Sequence, residues 1–384
     1  MYNFDEIIPR RNTNCYKWDA AVSDDVLPMW VADMDFRTVP AVIDALVRRA
    51  QHGIFGYVKP PVAYYDAVMG WFERSHRFTI QKEWLLYTTG VVPALSAIIR
   101  ALTVPGDRII VQTPVYHCFF SSIRNNGCEV STNELIYKDG VYRIDFADLE
   151  RKAADPKAKV LLLCSPHNPA GRVWTKDELS RMGEICLRHQ VLVVSDEIHC
   201  DLVFAGHQHL PFASISDELL KRSVTCTAPS KTFNLAGLQA ANIIIQDDEI
   251  RHKIDKALNI NEVCEINAFA VEAVIAAYNQ GYDWLEELKA YLYDNYLFLK
   301  DFMDAEMPFV KVLPLEATYL VWMDFSASGQ SSHVIAENLM EKEHLQVNEG
   351  AMYGTNGEGF IRLNIACPRA LLARGLTKIK NQYK

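Results

Sequence analysis

Two charged residues follow apolar stretches of the chain, at positions where a side chain can do chemistry. Lys231 follows the stretch 223–227 in TAPSKTFNLAGL, and Asp196 follows the stretch 191–194 in VVSDEIHCDL. A lysine withdrawn from water loses its proton more readily, and the neutral amine can form a Schiff base with a carbonyl group. A carboxylate at the end of a buried strand can pair with a protonated ring nitrogen. Each residue taken alone is also typical of an ordinary loop.

Two more polar side chains occur at comparable positions. Asn168 follows the stretch 159–164 in SPHNPAGRVW, and His199 lies three residues after Asp196. The Asn168 amide can donate a hydrogen bond to a phenolate or a carboxylate, although asparagine before proline also simply builds turns. His199 can face a ligand oxygen or be a loop histidine. Both are therefore candidates for the same polar site.

An anion site is the other chemical feature of the sequence. Thr89 and Gly90 precede an apolar helical pattern over 93–102 in YTTGVVPAL. The free N–H groups and the dipole of a helix N-terminus favour a phosphate there. A plain helix start has the same appearance, so the assignment depends on the other segments.

The elements that must position these residues alternate between strands and helices. Strands are predicted over 108–112, 159–164, 191–194, 223–227 and 241–245, and each is almost continuously apolar. Such runs are typical of strands that are buried on both faces of a mainly parallel sheet. Thr175 and Glu178 form a capping-box pattern at the start of an intervening helix. Because the carboxyl ends of parallel strands meet at one edge, we expect the polar residues to converge there.

The order of predicted helices and strands changes near residue 281. From there the chain contains a long helical pattern over 283–303, a strand-like TYLVWMDF, a helical pattern over 332–342 and a strand-like FIRLNIA. We predict two domains: a large α/β domain over 46–280, and a smaller α+β domain formed by 1–45 together with 281–384.

Composition and charge exclude several other classes of protein. The chain has 384 residues and a net charge of −9, which disfavours nucleic acid as the main partner. No stretch approaches the roughly 18 apolar residues of a membrane span, and the N-terminal residues do not resemble a secretory signal. The nine cysteines are scattered without a CxxC pair. We therefore expect reduced thiols in a cytoplasmic protein, with no metal site.

Seven ordered segments together resemble fold-type I pyridoxal-phosphate (PLP) enzymes, the aspartate aminotransferase superfamily. They are most similar to the MalY/PatB group of C–S β-lyases, and they run collinearly from about residue 28 to residue 369: WVADMDF, GIFGY, TPVYHCFF, SPHNPAGRVW, SDEIHCDLVF, APSKTFNLAGLQ and FIRLNIACPR. The resemblance implies a mainly parallel, seven-stranded α/β domain with a smaller α+β domain.

The resemblance also implies a set of residues that hold PLP. Lys231 would form the Schiff base and move a proton, and Asp196 would pair with the pyridine nitrogen. Asn168 and His199 would lie near the phenolic oxygen. The implied cofactor-binding residues are Lys231, Asp196, Asn168, His199, Tyr116, Gly90, Val91, Ser230 and Thr227. Many relatives have serine at the position of Ala228, so the resemblance implies that Thr227 would take its place in the phosphate site.

Substrate binding and assembly follow from the same resemblance. Arg362 would grip the α-carboxylate of an amino-acid substrate together with Asn168, while Asp33 and Met34 would line the entrance. Tyr57 is similar to the tyrosine that reaches the phosphate of a neighbouring subunit, and it is counted with Lys231 among the catalytic residues. The resemblance therefore implies a homodimer.

The activity implied is α,β-elimination of cystathionine or a related cysteine S-conjugate to a thiol, pyruvate and ammonia. Many superfamily members have tyrosine where His199 stands, and histidine there fits the lyase group better. The alternative is a class I/II aminotransferase, which needs the same lysine, aspartate, asparagine and arginine. Racemisation and a non-catalytic regulatory protein on the same fold are further alternatives.

Overall fold

The computed structural model describes residues 2–21, 23–260 and 265–383. The helices are α1 (Tyr16–Asp19), α2 (Pro40–His52), α3 (Val62–His76), α4 (Val91–Leu102), α5 (Cys118–Asn125), α6 (Phe146–Ala153), α7 (Lys176–Arg188), α8 (Asp217–Lys221), α9 (Pro229–Thr232), α10 (Asp248–Asn259), α11 (Ala268–Gln280), α12 (Tyr282–Glu306), α13 (Ser332–Glu343) and α14 (Arg369–Gln382). The strands are β1 (Leu27–Pro28), β2 (Leu85–Thr88), β3 (Arg108–Val111), β4 (Glu129–Thr132), β5 (Ile136–Lys138), β6 (Val141–Arg143), β7 (Ala158–Cys164), β8 (Leu192–Asp196), β9 (Ser223–Thr227), β10 (Ala241–Ile244), β11 (Lys311–Val312), β12 (Leu320–Asp324), β13 (Leu345–Gln346), β14 (Asn348–Glu349) and β15 (Phe360–Asn364).

A seven-stranded sheet forms the centre of the molecule, with strand order β2-β10-β9-β8-β7-β3-β4. Strands β4, β3, β7, β8 and β9 pair in parallel, and β10 is antiparallel to both of its neighbours. The five predicted strands are all present within two residues of their expected ends. The prediction of a mainly parallel α/β sheet is therefore confirmed.

Two helices that flank this sheet, α7 and α4, begin at or near the residues predicted from the sequence. The Thr175 hydroxyl oxygen accepts a hydrogen bond from the Glu178 backbone N–H, and the Glu178 carboxylate accepts one from the Thr175 backbone N–H, which confirms the predicted capping box. Helix α4 begins at Val91, two residues before the predicted start, with Gly90 as its N-cap. The start of α4 therefore comes directly after β2.

A second sheet, with order β11-β12-β15-β14, lies in the C-terminal part of the chain. The predicted long helix is present as α12, and the predicted strands are present as β12 and β15. Strand β1 from the N-terminal region pairs in parallel with β13, so the N-terminal region joins this part of the molecule. The domain division at residues 45/46 and 280/281 stays a prediction.

Two remaining expectations concern membrane-spanning segments and the state of the cysteines. Among the described helices, none is both long and apolar enough to cross a membrane. The eight described cysteines are all free thiols, as expected. The ninth, Cys264, lies outside the described residues.

Candidate active site

A cavity of about 410 Å³ lies at the carboxyl edge of the central sheet. Its walls come from strand ends of the large sheet, from the start of α4, from residues 30–32 and from the second sheet. Predicted site residues that line it are Lys231, Asp196, Asn168, His199, Tyr116, Gly90, Val91, Ser230 and Arg362. The convergence expected from the strand ends is therefore present, and the roles of these residues stay predictions.

Lys231 lies in the short helix α9, directly after strand β9. Its Nζ donates a 2.7 Å hydrogen bond to the backbone carbonyl of Ala32. Burial and the nearby Arg362 guanidinium lower the pKa of Lys231, although the carboxylates of Asp33 and Asp196 oppose the shift. The amine is thus closer to its neutral, nucleophilic form than a lysine in water.

Asp196 is the last residue of β8, and its exposed fraction is only 4%. One carboxylate oxygen accepts a 3.2 Å hydrogen bond from the backbone N–H of Ile198. Burial raises the pKa of Asp196 to about 7, against an opposing effect of Lys231. A buried carboxylate with a raised pKa is suited to receive a cationic partner, because the partner offsets the cost of its charge.

Asn168 and Arg362 meet inside the cavity, although Asn168 lies in the turn after β7 and Arg362 lies in β15 of the second sheet. The Arg362 Nη1 donates a 3.1 Å hydrogen bond to the side-chain oxygen of Asn168, and Nη2 donates a 2.9 Å bond to the Trp30 carbonyl. The guanidinium also lies 5.0 Å from the ring centre of Tyr353, while its buried Nε has no partner. A planar guanidinium fixed in this way can grip a carboxylate.

His199 and Tyr116 are two of the aromatic side chains that line the cavity. Burial lowers the pKa of His199 to about 3, so its imidazole is neutral at physiological pH. The buried Nδ1 of His199 has no hydrogen-bond partner, and its ring lies 6.0 Å from the ring of Tyr319. Tyr116 is partly buried and presents an aromatic ring to the cavity. Such a ring can stack on a flat ligand.

The N-terminus of helix α4 forms part of the cavity wall. Gly90 and Val91 line the cavity at the N-terminus of this 12-residue helix. Ser230, the residue before Lys231, also lines it. Thr227 is buried with an unpartnered hydroxyl, but it is not among the residues that line the cavity. Helix N–H groups, with the hydroxyl of Ser230, can hold a phosphate.

Three further predicted residues, besides Thr227, lie apart from the cavity wall. Asp33 is paired with Arg10 at 2.7 Å and with Lys17 at 3.4 Å. Met34 is 1% exposed, and its backbone N–H donates to Asn234. Tyr57 is 95% exposed in the single chain. Their predicted roles at the entrance and at a neighbouring subunit stay predictions.

Several residues of the cavity were missed by reasoning from the sequence. Tyr16 and Trp30 line it together, with ring centres 5.4 Å apart. Asn348 donates a 3.0 Å hydrogen bond to the Trp30 carbonyl. His117 and Met352 also line it. The segment WVADMDF contains Trp30, but Tyr16 carries no motif or periodic signal that could have identified it.

A buried polar network anchors the residue after Lys231. Asp201 accepts a 2.8 Å hydrogen bond from the Thr232 hydroxyl and lies 2.7 Å from His76 Nε2. Ligand atoms of His76, Cys200 and Asp201 lie within 4.8 Å of one another. Because the Asp201 oxygens already accept these hydrogen bonds, the network holds α9 in place without requiring an ion.

Known proteins match this chain over all or nearly all of its length. The profile of the aminotransferase class I and II family matches residues 24–379. The cystathionine beta-lyase PatB of Bacillus subtilis is 47% identical over 382 residues, which cover 98% of this chain and 99% of that protein. A PLP-bound protein of Clostridium difficile 630, provisionally assigned as an aminotransferase, superposes with a TM-score of 0.98 at 42% identity over 100% of both chains. Cystalysin of Treponema denticola, whose crystal structure contains PLP, gives a TM-score of 0.97 at 36% identity over 100% of this chain and 99% of its own.

Proposed function

The chain belongs to the aminotransferase class I and II family, and we propose that it is a PLP-dependent C–S β-lyase. Its substrates would be cystathionine or related cysteine S-conjugates, and its products a thiol, pyruvate and ammonia. The observation that carries this proposal is the 47% identity to a cystathionine beta-lyase over nearly the full length of both proteins.

The residues of the cavity fit PLP in charge and in hydrogen-bonding capacity. Lys231 would hold the cofactor covalently, and Asp196 would pair with its ring nitrogen. The start of α4 and Ser230 would bind the phosphate. The unpartnered, buried Nδ1 of His199 is the kind of atom that a polar ligand satisfies.

When bound, PLP supplies an electron sink for a carbanion at Cα of the substrate. The Arg362 guanidinium and the Asn168 amide would hold the α-carboxylate, which fixes the direction of the Cα–H bond. Once the substrate amine has released it, Lys231 Nζ would remove the Cα proton, and its lowered pKa keeps the amine available for this step. With the electron pair stabilised, the thiolate can leave from Cβ.

A homodimer is the second part of the proposal. Ile54, Phe55, Tyr57 and Val62 are between 58% and 95% exposed, so the segment 54–62 presents an apolar surface in the single chain. Covering such a surface with a second copy removes apolar area from water. Tyr57 of one subunit would then reach the phosphate end of the other subunit's cavity.

We also propose that the protein works in the cytoplasm. The free state of all eight described cysteines is what a reducing compartment maintains.

An aminotransferase is the second candidate, because the Clostridium difficile neighbour carries that assignment. Both reactions need the same cavity residues, so they differ only in the fate of the substrate. The test is to supply one cysteine S-conjugate together with 2-oxoglutarate and measure pyruvate and glutamate in the same reaction. Pyruvate without glutamate supports the lyase, and glutamate without pyruvate supports the aminotransferase.

A further inference from the structure

The backbone carbonyl of Ala32 accepts hydrogen bonds from two side chains at once. Lys231 Nζ donates to it at 2.7 Å, and the Tyr319 hydroxyl donates to it at 2.9 Å. A carbonyl has two lone pairs and no proton to give, so both side chains are the donors. This oxygen therefore joins the reactive amine to a tyrosine that the proposed reaction does not use.

Tyr319 is held firmly behind the cavity wall. Its side chain is 0% exposed, and the residue directly precedes strand β12. Burial raises the pKa of Tyr319 well above its usual range, so the hydroxyl keeps its proton and stays a donor. The preceding residue, Thr318, has a φ of 72°, a left-handed conformation that is rare for a β-branched side chain. Backbone strain of this kind is concentrated at functional sites.

The peptides on either side of Ala32 are also fixed from the second sheet. Asn364 Nδ2, at the end of β15, donates to the carbonyl of Val31 at 2.5 Å and to the carbonyl of Asp33 at 2.7 Å. The position of the Ala32 oxygen is thus set by several hydrogen bonds. An acceptor fixed in this way can orient the amine that bonds to it.

We propose that Tyr319 is a positioning residue for proton abstraction from Cα, an inference that rests on the proposed function. The Cα–H bond breaks, its electron pair stays on Cα, and Lys231 Nζ takes the proton and becomes an ammonium. The Ala32 carbonyl, held by Tyr319, accepts a hydrogen bond from this ammonium. Because a hydrogen bond to a charged donor is stronger than one to a neutral donor, the stabilisation grows as charge develops on Nζ.

Exchange of the Cα hydrogen of alanine in deuterated water measures proton abstraction by itself, because alanine has no leaving group at Cβ. In the PLP-loaded enzyme we expect Tyr319→Phe to slow this exchange about tenfold, the loss of one well-placed hydrogen bond. Tyr296→Phe is the matched control. Tyr296 is a buried residue of α12 whose hydroxyl donates to the Leu313 carbonyl at 3.2 Å, and it does not line the cavity. The control should exchange alanine at the wild-type rate.

A second measurement uses the cofactor-free protein. Cyanate carbamylates neutral amines, so the pH dependence of carbamylation at Lys231, followed by mass spectrometry, gives the apparent pKa of this amine. Tyr319→Phe should lower that pKa by about one unit, because the ammonium loses its fixed acceptor, and Tyr296→Phe should leave it unchanged. Both variants keep the charged and titratable groups that act on Nζ, which are Asp33, Arg362, Asp196, Cys118 and His199.

The outcomes separate the role of Tyr319 from the proposed function. An unchanged exchange rate, an unchanged or raised amine pKa, or equal effects in the two tyrosine variants would overturn the role. If Tyr319→Phe does not fold, Asn364→Ala releases the peptides beside Ala32, and the same two measurements decide. A wild-type enzyme that exchanges alanine but forms no pyruvate from a cysteine S-conjugate would contradict the lyase function and leave the role of Tyr319 standing.

Discussion

The Arg362 guanidinium donates a 3.1 Å hydrogen bond to the side chain of Asn168, a residue 194 positions away in the chain. Asn168 follows strand β7 of the central sheet, and Arg362 lies in β15 of the second sheet. The bond joins the part of the cavity suited to a cofactor with the part suited to a substrate carboxylate. Substrate binding therefore depends on how the two sheets are held together.

Replacing Arg362 by lysine should weaken substrate binding more than cofactor binding. Lysine keeps the charge but cannot bond Asn168, Trp30 and a carboxylate with one planar group. We expect KM for a cysteine S-conjugate to rise about 10–100-fold, the equivalent of one charged hydrogen bond, while the PLP absorbance is retained. Steady-state kinetics with a spectrum of each variant measures both, and an unchanged KM would contradict the role of Arg362.

The burial of Asp196 predicts a pH dependence of stability in the cofactor-free protein. Because its folded-state pKa is raised to about 7 from the ordinary 3.8, the folded protein holds a proton that the unfolded chain releases. The contribution of Asp196 to stability is therefore largest below about pH 4 and falls as the pH rises towards 7. Relative to Asp196→Asn, the wild type should lose up to about 4 kcal/mol of unfolding free energy over this range.

Urea unfolding at several pH values checks this expectation. Bound PLP should flatten the slope in the wild type, because a cationic ring nitrogen favours the charged carboxylate. Parallel curves for the cofactor-free wild type and Asp196→Asn would show that Asp196 titrates normally and would contradict the account.

A buried ion cluster holds the N-terminal segment against the loop that carries Trp30 and Ala32. Asp35 accepts hydrogen bonds from Lys17 Nζ at 2.8 Å and from Arg10 Nη1 at 2.6 Å, and Lys17 is only 1% exposed. Asp35→Ala would leave buried cationic groups without this partner, so we expect a loss of about 3–5 kcal/mol in unfolding free energy.

Asp24→Ala is the matched control for the Asp35 variant. Asp24 forms a 3.7 Å ion pair with Arg11, but its side chain is 95% exposed. Such a surface pair contributes only about 0–1 kcal/mol. Equal destabilisation of the two variants in urea unfolding would contradict a special role of the buried cluster.

Tyr57 gives a prediction about assembly. Because its side chain is 95% exposed in the single chain, Tyr57→Phe should leave the unfolding free energy within about 0.5 kcal/mol of the wild type. If Tyr57 reaches the phosphate of a neighbouring subunit, the same change should raise the Kd for PLP about tenfold, the loss of one hydrogen bond. Fluorescence titration with PLP measures this, with sedimentation to establish the oligomeric state; an unchanged Kd would refute the role.

Much of the central sheet and its polar edge could be predicted from the sequence. Strands β7 and β8 are buried on both faces, so they read as apolar runs, and Asn168 and Asp196 stand where those runs end. Strand β4 was missed because its sequence EVST lies at the edge of the sheet and is only partly buried.

The contribution of the N-terminal segment could not be predicted. Tyr16 reaches the cavity because Lys17, its neighbour in sequence, is buried against Asp35. Lysine is rarely buried without a partner, and no local pattern shows which distant carboxylate will supply one. The roles of Asp33, Met34 and Tyr57 likewise depend on a bound substrate or a second subunit, and they stay predictions.

The most direct test of the central claim is to give the PLP-loaded protein cystathionine without any keto acid and to measure pyruvate and free thiol together. The account predicts both products in equal amounts over many turnovers, and their loss in Lys231→Ala. Consumption that stops after one turnover, or thiol release that continues unchanged in Lys231→Ala, would contradict it.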